Sequence, residues 1–211
     1  MATVARTQQR TRERAAVEPA GEPGEFRRRL LDGLAASIVE RGYRETTIAD
    51  IVRYARTSRR TFYEHFAGKE ACLIALVTEA NTRVIEQIDA AVDARAPWQT
   101  QVRQAIETWI ATAESQPAIT RSWIREVPTL GEEARVLQRE GMAAFVALVL
   151  RLCDTAEFRS AHAGPVSEQL AIVLIGGLRE LIATQVEDGR PLRDLTPVAV
   201  DATIALLGPR P

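Results

Sequence analysis

The sequence predicts an all-α protein with a small front domain and a larger back domain. Apolar residues recur at three- and four-residue spacing from Gly24 almost to the C-terminus, which is the period of an amphipathic helix. Prolines and glycines fall where such helices would begin and end, and no alternation of apolar and polar residues indicates a strand. With 211 residues, 46% of them apolar, the chain is long enough to bury a sizeable core.

Composition argues against a membrane, secreted or metal-binding protein. The longest apolar run, Leu170–Leu178, is far shorter than the roughly 18 residues of a membrane helix. The first 23 residues lack the apolar stretch of a secretory signal. Cys72 and Cys153 lie far apart and outside any metal-ligand spacing, so we expect two core thiols in a reducing compartment. The expectation is a cytoplasmic protein without metal or cofactor.

Charge is divided unevenly along the chain, although the net charge is only −1. Residues 1–70 contain 14 basic and 10 acidic side chains, whereas residues 71–211 contain 13 and 18. A basic front and an acidic back indicate a unit that binds a polyanion, joined to one that does not.

The first 23 residues are predicted to form a disordered basic tail. They have no apolar periodicity and contain Pro19, Gly21 and Pro23. The tail either enters the minor groove of DNA as a flexible arm or makes no contact. The basic side chains in question are Arg6, Arg10, Arg12 and Arg14.

Three helices form the predicted front domain. The first ends at Gly42 and carries a repeating apolar face, namely Leu30, Leu31, Leu34, Ala35, Ile38 and Val39. Thr47 can cap the second helix, with Asp50 completing a capping box. After a short break, Ser58 can cap the third. Two helices of this size joined by a four-residue turn form a helix-turn-helix, here residues 47–66.

The third helix concentrates aromatic and basic residues in the segment TSRRTFYEHFAGKE. Phe62 and Phe66 share one face and can pack against the second helix, so that Tyr63 and Arg60 point away from it. Arginine can donate to two acceptors of guanine, and a tyrosine ring can contact a thymine methyl group. The alternative use of Arg60 is a solvated surface pair with Glu64, four residues on.

The segment GYRETTIADIVRYARTSRRTFYEHFAGKE closely resembles the DNA-binding domain of the TetR family of transcriptional regulators. The matching positions are Gly42–Tyr43, Thr46–Thr47, Ile48, Ile51, Ala55, Ser58, Thr61–Phe62–Tyr63, His65–Phe66 and Lys69–Glu70. The resemblance covers residues 24–84 and implies a DNA-binding domain there. It also implies that residues 85–211 bind a small-molecule effector and a second subunit.

The resemblance implies a role for each matching polar position. Residues of the family that face DNA bases align with Arg59, Arg60 and Tyr63. Residues that contact DNA phosphates align with Thr47, Ser58, Thr61, His65 and Lys69. Thr47 and Lys69 stand at helix starts, where backbone amides favour an anion.

Two positions depart from the family pattern. Arg56 stands at a turn position usually held by glycine, where it would have to accept an unusual backbone angle at a cost of about 1 kcal/mol. Contact with DNA phosphate is the alternative use of Arg56. Ser37 stands at a usually apolar position of the first helix, which predicts a modest loss of core.

Longer helices are predicted beyond Lys69, over about residues 69–94, 97–113, 117–128, 131–154, 166–186 and 197–207. The helix at 166–186 is apolar on nearly every side until Arg179, so one side can cover the core and the other a second subunit. The expected interface includes Leu170, Leu174, Gly177, Leu181 and Ile204. Gly176 and Gly177 either allow close approach of that subunit or relieve crowding within the chain.

The favoured function is a ligand-responsive homodimeric repressor that binds a palindromic DNA operator, with an activator as a variant. Candidate walls of the effector pocket, each also explicable as core, are Trp109, Trp123, Met142, Phe145 and Leu178. The scarcity of buried charge favours an apolar effector.

Two other classes of function are considered. The first is a helical enzyme acting on an apolar small molecule. Against it, the back domain has no cluster of His, Cys, Asp and Glu residues, no glycine-rich phosphate loop and no plausible triad. No nucleophile with an orienting acid is evident around His65, and His162 is expected in an exposed loop. The second is a chromosome-organising protein that binds DNA without regard to sequence, and such a protein would not need a large acidic back domain.

Overall fold

The computed structural model describes residues 23–161 and 165–208. The predicted tail with its four arginines, apart from Pro23, therefore lies outside the described residues, as does His162. Over the described ranges the protein is all-α, as predicted, and contains no strand. Its α-helices are α1 Pro23–Glu45, α2 Ile48–Ala55, α3 Arg59–His65, α4 Lys69–Ala91, α5 Trp98–Ser115, α6 Pro117–Arg121, α7 Gly131–Leu152, α8 Ala156–Ala161, α9 Glu168–Glu187 and α10 Thr196–Leu207. A π-helical turn at Ser122–Glu126 and 3₁₀ turns at Val127–Thr129 and Leu192–Leu195 connect some of them.

Helices α1, α2 and α3 form a front unit around one core. Its fully buried side chains come from all three helices and from the start of α4, and include Leu30, Leu34, Ile38, Ile51, Phe62 and Leu73. Gly33 allows α1 and α2 to approach closely, because a Cβ there would lie 2.6 Å from the carbonyl oxygen of Ile51. Helix α1 is interrupted at Gly42, as predicted, where φ is 80°. Val39 was expected on the apolar face but is 67% exposed, so it lies outside this core.

The front unit is joined to the back by shared packing. Helix α4 runs without a break past residue 84, where the sequence analysis places the domain boundary. The hydrophobic cluster of the front unit also includes Val77 of α4, Val127 and Leu137. A movement of the back unit can therefore reach the front through α4 and the segment after α6.

The back unit packs α5, α7 and α10 around the long helix α9. Its core contains Ile106 of α5, Leu148 of α7 and Leu178 of α9, all buried. Among the described helices, α9 alone is long and apolar enough to cross a bilayer, with a mean hydropathy of 1.3 and 39% of its window buried. A core helix of a soluble protein has the same properties, so this composition by itself is weak evidence for a membrane span.

Candidate DNA interface, effector cavities and subunit surface

Helix α3 is fixed from beneath and presents its polar side to solvent. The side-chain oxygen of Ser58 caps the helix by accepting a hydrogen bond from the Thr61 amide at 3.1 Å. Phe62 is fully buried, and its ring centroid lies 5.8 Å from that of Phe66. The exposed residues of the helix include Arg59, Arg60 and Tyr63. These three can therefore reach a ligand without disturbing the core.

Arg60 forms the surface pair that the sequence offered as an alternative. Its Nε donates to Glu64 Oε1 at 3.1 Å, while the Arg60 side chain remains 89% exposed. An exposed pair of this kind contributes only a few tenths of a kcal/mol. Because the pair is weak, it does not prevent Arg60 from exchanging Glu64 for a base edge.

Arg56 adopts the unusual backbone angle that the sequence predicted. Its φ of 50° and ψ of 50° place it in the left-handed region, and it is the only non-glycine residue of the described chain with a positive φ. The Arg29 guanidinium donates to the carbonyl oxygens of Ala55 (2.6 and 3.0 Å) and Arg56 (2.7 Å), so it caps the end of α2. No local pattern in the sequence indicates this role of Arg29, because its acceptors lie 26 and 27 residues away. The Arg56 side chain is exposed.

Ser37 forms a hydrogen bond inside the front unit. Its hydroxyl is fully buried and lies 3.0 Å from the Thr46 hydroxyl, which in turn donates to the Gly42 carbonyl at 2.8 Å. Because the Thr46 hydroxyl donates its one proton to the Gly42 carbonyl oxygen, the Ser37 hydroxyl is the donor in its hydrogen bond with Thr46. The serine therefore holds α1 against the turn that leads to α2, a role that the expectation of a modest loss of core does not include.

The hydroxyl and imidazole side chains that are expected to contact DNA phosphates differ in how exposed they are. Thr47 is exposed and forms the predicted capping box, with its hydroxyl donating to Asp50 at 2.6 Å. This hydrogen bond, with that of the Thr47 amide, lowers the pKa of the Asp50 carboxyl. Ser58 is exposed and His65 is half-buried. Thr61, in contrast, is buried with its hydroxyl 2.9 Å from that of Ser58, so it supports the cap.

Lys69 is already occupied by the protein. Its ammonium donates to the carbonyl oxygens of Tyr43 (3.0 Å), Arg44 (3.3 Å) and Thr46 (2.8 Å), and it lies 4.4 Å from the centroid of the Tyr43 ring. An ammonium has three protons, and these three acceptors match them. In this arrangement Lys69 ties the start of α4 to the end of α1, and the expected phosphate contact of its side chain would require these bonds to break.

Two cavities in the back unit meet at Trp109 and Phe145, which line both and whose ring centroids are 5.6 Å apart. The apolar cavity is also lined by Leu178. The arginine cavity is also lined by Trp123, Arg83 and Arg179. Of the expected pocket walls only Met142 lines neither, because it packs in the neighbouring hydrophobic cluster.

Two polar residues line the arginine cavity although the sequence did not predict them as pocket walls. Arg179 and Asn81 both line it. The only signal in the sequence is that Arg179 interrupts the apolar run of α9. Asn81 has no such signal, because polar residues surround it in α4.

The far side of α9 exposes apolar residues. Ile172 and Val173 are exposed, as are Gly177 and Leu181. Leu174 was expected at a subunit interface but is buried in the core of its own chain, because it lies on the opposite side of α9. Leu170 and Ile204 are half-buried and also pack against that core.

The glycines of α9 do not relieve crowding within the chain. A Cβ at Gly176 or Gly177 would meet no atom within 4 Å. Of the two explanations considered for these glycines, the close approach of another surface is therefore the one that the geometry favours.

No group of three or more His, Cys, Asp and Glu side chains in the described residues could hold a metal. Burial raises the pKa of the Cys72 and Cys153 thiols to about 12. Both thiols are therefore protonated at neutral pH and poor nucleophiles.

The front unit matches a known family. Residues 30–76 match the model of the family described as "Bacterial regulatory proteins, tetR family". The chain is also 31% identical, over 111 residues, to the HTH-type transcriptional regulator EthR of Mycolicibacterium smegmatis. This match covers 51% of each protein, so the chain spans about half the length of the curated relative it matches.

Solved structures resemble the fold over most of its length. The fatty acid degradation regulator FadR from Bacillus halodurans matches with a TM-score of 0.73 and 17% identity, over 85% of this chain and 97% of that one. FadR from Bacillus subtilis, in complex with stearoyl-CoA, matches with a TM-score of 0.71 and 18% identity, over 84% and 97%. A regulator of the same family from Streptomyces coelicolor matches at 0.72 and 18%, over 87% and 80%. At these identities the likeness establishes the fold.

Proposed function

Because the chain belongs to the TetR family of bacterial regulatory proteins, we propose that it is a cytoplasmic, ligand-responsive homodimeric repressor that binds a palindromic DNA operator. One observation carries the proposal. Helix α3 exposes Arg59, Arg60 and Tyr63 above the buried ring of Phe62, with Ser58 capping its start. This is the form of a recognition helix, whose N-terminal residues contact base edges in the major groove.

Within this proposal, α3 reads bases and the surrounding groups hold phosphates. Arg59 and Arg60 can each donate two hydrogen bonds to a guanine, and Tyr63 can contact a thymine methyl group. The exposed hydroxyls of Thr47 and Ser58 stand at the starts of α2 and α3, where backbone amides also favour an anion. Phosphate contacts fix the register of the helix, and base contacts supply specificity.

The dimer is proposed to form through α9 and α10. The exposed apolar side chains of these helices are Ile172, Val173, Leu181, Val198 and Leu206. Gly176 and Gly177 have open space outside them, so a second helix can approach the α9 backbone closely. A two-fold arrangement buries the same surface on both subunits and presents two copies of α3 to the two halves of a palindrome.

Effector control is proposed to run from the cavities to the front unit. Residues of α4, the helix that joins the two units, line both cavities. They are Ile88 in the apolar cavity and Val77 and Val84 in the arginine cavity. An effector that fits only one arrangement of α4 would shift the spacing of the two α3 helices. The FadR structure from Bacillus subtilis contains stearoyl-CoA, so a protein of this fold can hold a small molecule. Loss of operator binding on effector binding would make the protein ligand-responsive.

Selection of bound DNA from a random pool tests the proposal. We expect enrichment of a palindrome with half-sites about one helical turn apart. Binding without enrichment would instead support a chromosome-organising protein, and absence of DNA binding would reopen the class of helical enzymes.

A further inference from the structure

Two hydrogen-bond donors in the arginine cavity have no acceptor. The Arg179 Nε and the Asn81 amide nitrogen are both buried, and neither has a hydrogen-bond partner in the described residues. A buried donor without a partner costs about 1–3 kcal/mol, and more when the group is charged. Such groups are rare in native proteins, and a ligand that is absent from the structure is one physical reason for them.

Both donors lie near the same aromatic side chain, Trp123. The Arg179 Cζ is 5.8 Å from the centroid of the Trp123 ring. The Asn81 amide nitrogen and the Trp123 ring both face Gly141, where a Cβ would lie 2.9 Å from the nitrogen and 3.1 Å from the ring. A charged and a neutral donor therefore both lie near Trp123, which lines the same cavity.

The cavity is positively charged and contains no acid. Arg83 and Arg179 line it, and no Asp or Glu is among its lining residues. Neither arginine has an ion pair within 4.0 Å among the described residues. Glu180, which follows Arg179, is engaged on the outside by both Nη atoms of Arg125, at 2.8 and 2.9 Å. Burial lowers the pKa of Arg179 by removing its charge from water, and the nearby charge of Glu180 opposes this shift only in part.

We propose that the arginine cavity binds the carboxylate of an amphiphilic organic anion, with Arg179 and Asn81 as the donors. This inference rests on the proposed effector site and gives it a ligand class. The body of the anion would pack against Val84 and Ile119, which line the same cavity. A longer body would continue past Trp109 and Phe145 into the apolar cavity.

The apolar cavity offers no competing place for a charged group. Gln101 lines it, but its amide donates to the carbonyls of Ala94 (3.3 Å) and Ala96 (2.8 Å). Thr203 also lines it and donates to the Ala199 carbonyl at 2.6 Å. An effector that is wholly apolar would satisfy neither Arg179 nor Asn81. The sequence-based expectation of an apolar effector is thus narrowed to an apolar body with an anionic end.

Calorimetric titration of the full chain with decanoate and with decanol tests the inference. The two probes share one apolar chain and differ in the charged end. We expect decanoate to bind about 10- to 100-fold more tightly, as hydrogen bonds to a charged group allow. In Arg179→Gln this preference should disappear, with decanol binding unchanged. Arg103→Gln, which alters an exposed arginine of α5 outside both cavities, should keep the preference.

A second variant keeps the test independent of folding in the first. Asn81→Asp retains the size of the side chain but replaces a proposed donor with a carboxylate that repels an anion, so it should abolish decanoate binding and spare decanol. Equal affinity for the two probes in the unaltered protein, or absence of binding by both, would overturn the inference. So would a decanoate preference that survives both Arg179→Gln and Asn81→Asp.

The titration needs no DNA, so it separates this inference from the proposed function. Preferential decanoate binding that leaves operator affinity unchanged would support the carboxylate site and contradict ligand-responsive repression. Operator release by decanol and decanoate alike would support ligand-responsive repression and contradict the carboxylate site.

Discussion

The front and back units differ in how completely they are covered. In the described part of the front unit, the exposed large apolar residues are Val39 and Tyr63, and Tyr63 belongs to the proposed reading face. The back unit exposes an apolar face on α9 and α10 and encloses two cavities, one with unpaired donors. The front unit therefore buries most of its large apolar side chains, whereas the proposed second subunit and ligand would cover what the back unit leaves open. If that proposal holds, the stability of the back unit should depend more on binding than that of the front unit.

The largest expected effect is at the centre of the front core. Phe62→Ala removes a fully buried ring and should lower the free energy of unfolding by about 3–5 kcal/mol. Tyr63→Ala, one residue on and 59% exposed, is the matched control and should change it by less than about 0.5 kcal/mol. Chemical denaturation followed by circular dichroism measures both. Similar losses in the two variants would contradict the view of a rigid core beneath a free reading face.

The corresponding change in the back unit is Gly177→Arg. Open space surrounds Gly177 in one chain, so the arginine should leave the folded chain intact. In the proposed dimer it would bury an unpaired charge in an apolar seam, at a cost of about 3–5 kcal/mol. Sedimentation at micromolar concentration should then show monomers. Gly24→Arg, at another open position far from α9 in sequence, is the control and should remain dimeric. A fully dimeric Gly177→Arg variant with normal operator binding would remove α9 from the interface.

The contrast between the units also explains what could be predicted from sequence. The caps at Thr47 and Ser58 and the break at Gly42 depend on neighbours within a few residues, so spacing predicts them. The strained angle at Arg56 is instead an expectation that the family resemblance implies. The role of Lys69 depends on carbonyls 23 to 26 residues away, and no local pattern indicates that contact.

In the back unit, the sequence could not predict the direction in which each side chain of α9 points. Because α9 is apolar on nearly every side, composition could not tell that Leu174 faces the core of its own chain while Gly177 faces outward. Arg179 and Asn81 belong to helices that are far apart in sequence, so their meeting at Trp123 follows only from the packing. The expectation of an interface on α9 stays a prediction, and the structure changes which of its residues should be tested.

Lys69 has two possible roles, which are to stabilise the front unit and to contact DNA. Since its ammonium donates to three carbonyls, Lys69→Ala should lower the free energy of unfolding by about 1.5–3 kcal/mol. Arg44→Ala, a neighbouring exposed side chain without an ion pair in the described residues, should have little effect. A phosphate contact predicts a different result, in which stability is unchanged and the salt dependence of DNA binding falls by about one unit per subunit. Denaturation and binding measured at several salt concentrations decide between the two roles.

Arg60 tests the reading face without touching the core. Arg60→Ala should cost about 1–3 kcal/mol of operator affinity and relax the sequence preference at one position in each half-site. Glu64→Ala removes the same surface pair and should leave the preference intact. Both variants should change stability by only a few tenths of a kcal/mol. If repeated selection with Arg60→Ala gave an unaltered sequence preference, base reading would fall to Arg59 and Tyr63.

The smallest expected effect is at Arg56, where the front unit is strained. Glycine takes up a φ of 50° without the steric cost borne by arginine, but it loses more conformational freedom on folding. Arg56→Gly should therefore stabilise the protein by about 0.5–1 kcal/mol net. Arg53→Gly, in regular helix three residues earlier, should destabilise it by about 1 kcal/mol. The DNA affinity of Arg56→Gly then identifies what the strain supports. Unchanged affinity means that Arg56 has no contact with DNA, whereas weaker binding to operator and random DNA alike, with a shallower salt dependence, means that its exposed side chain contacts phosphate.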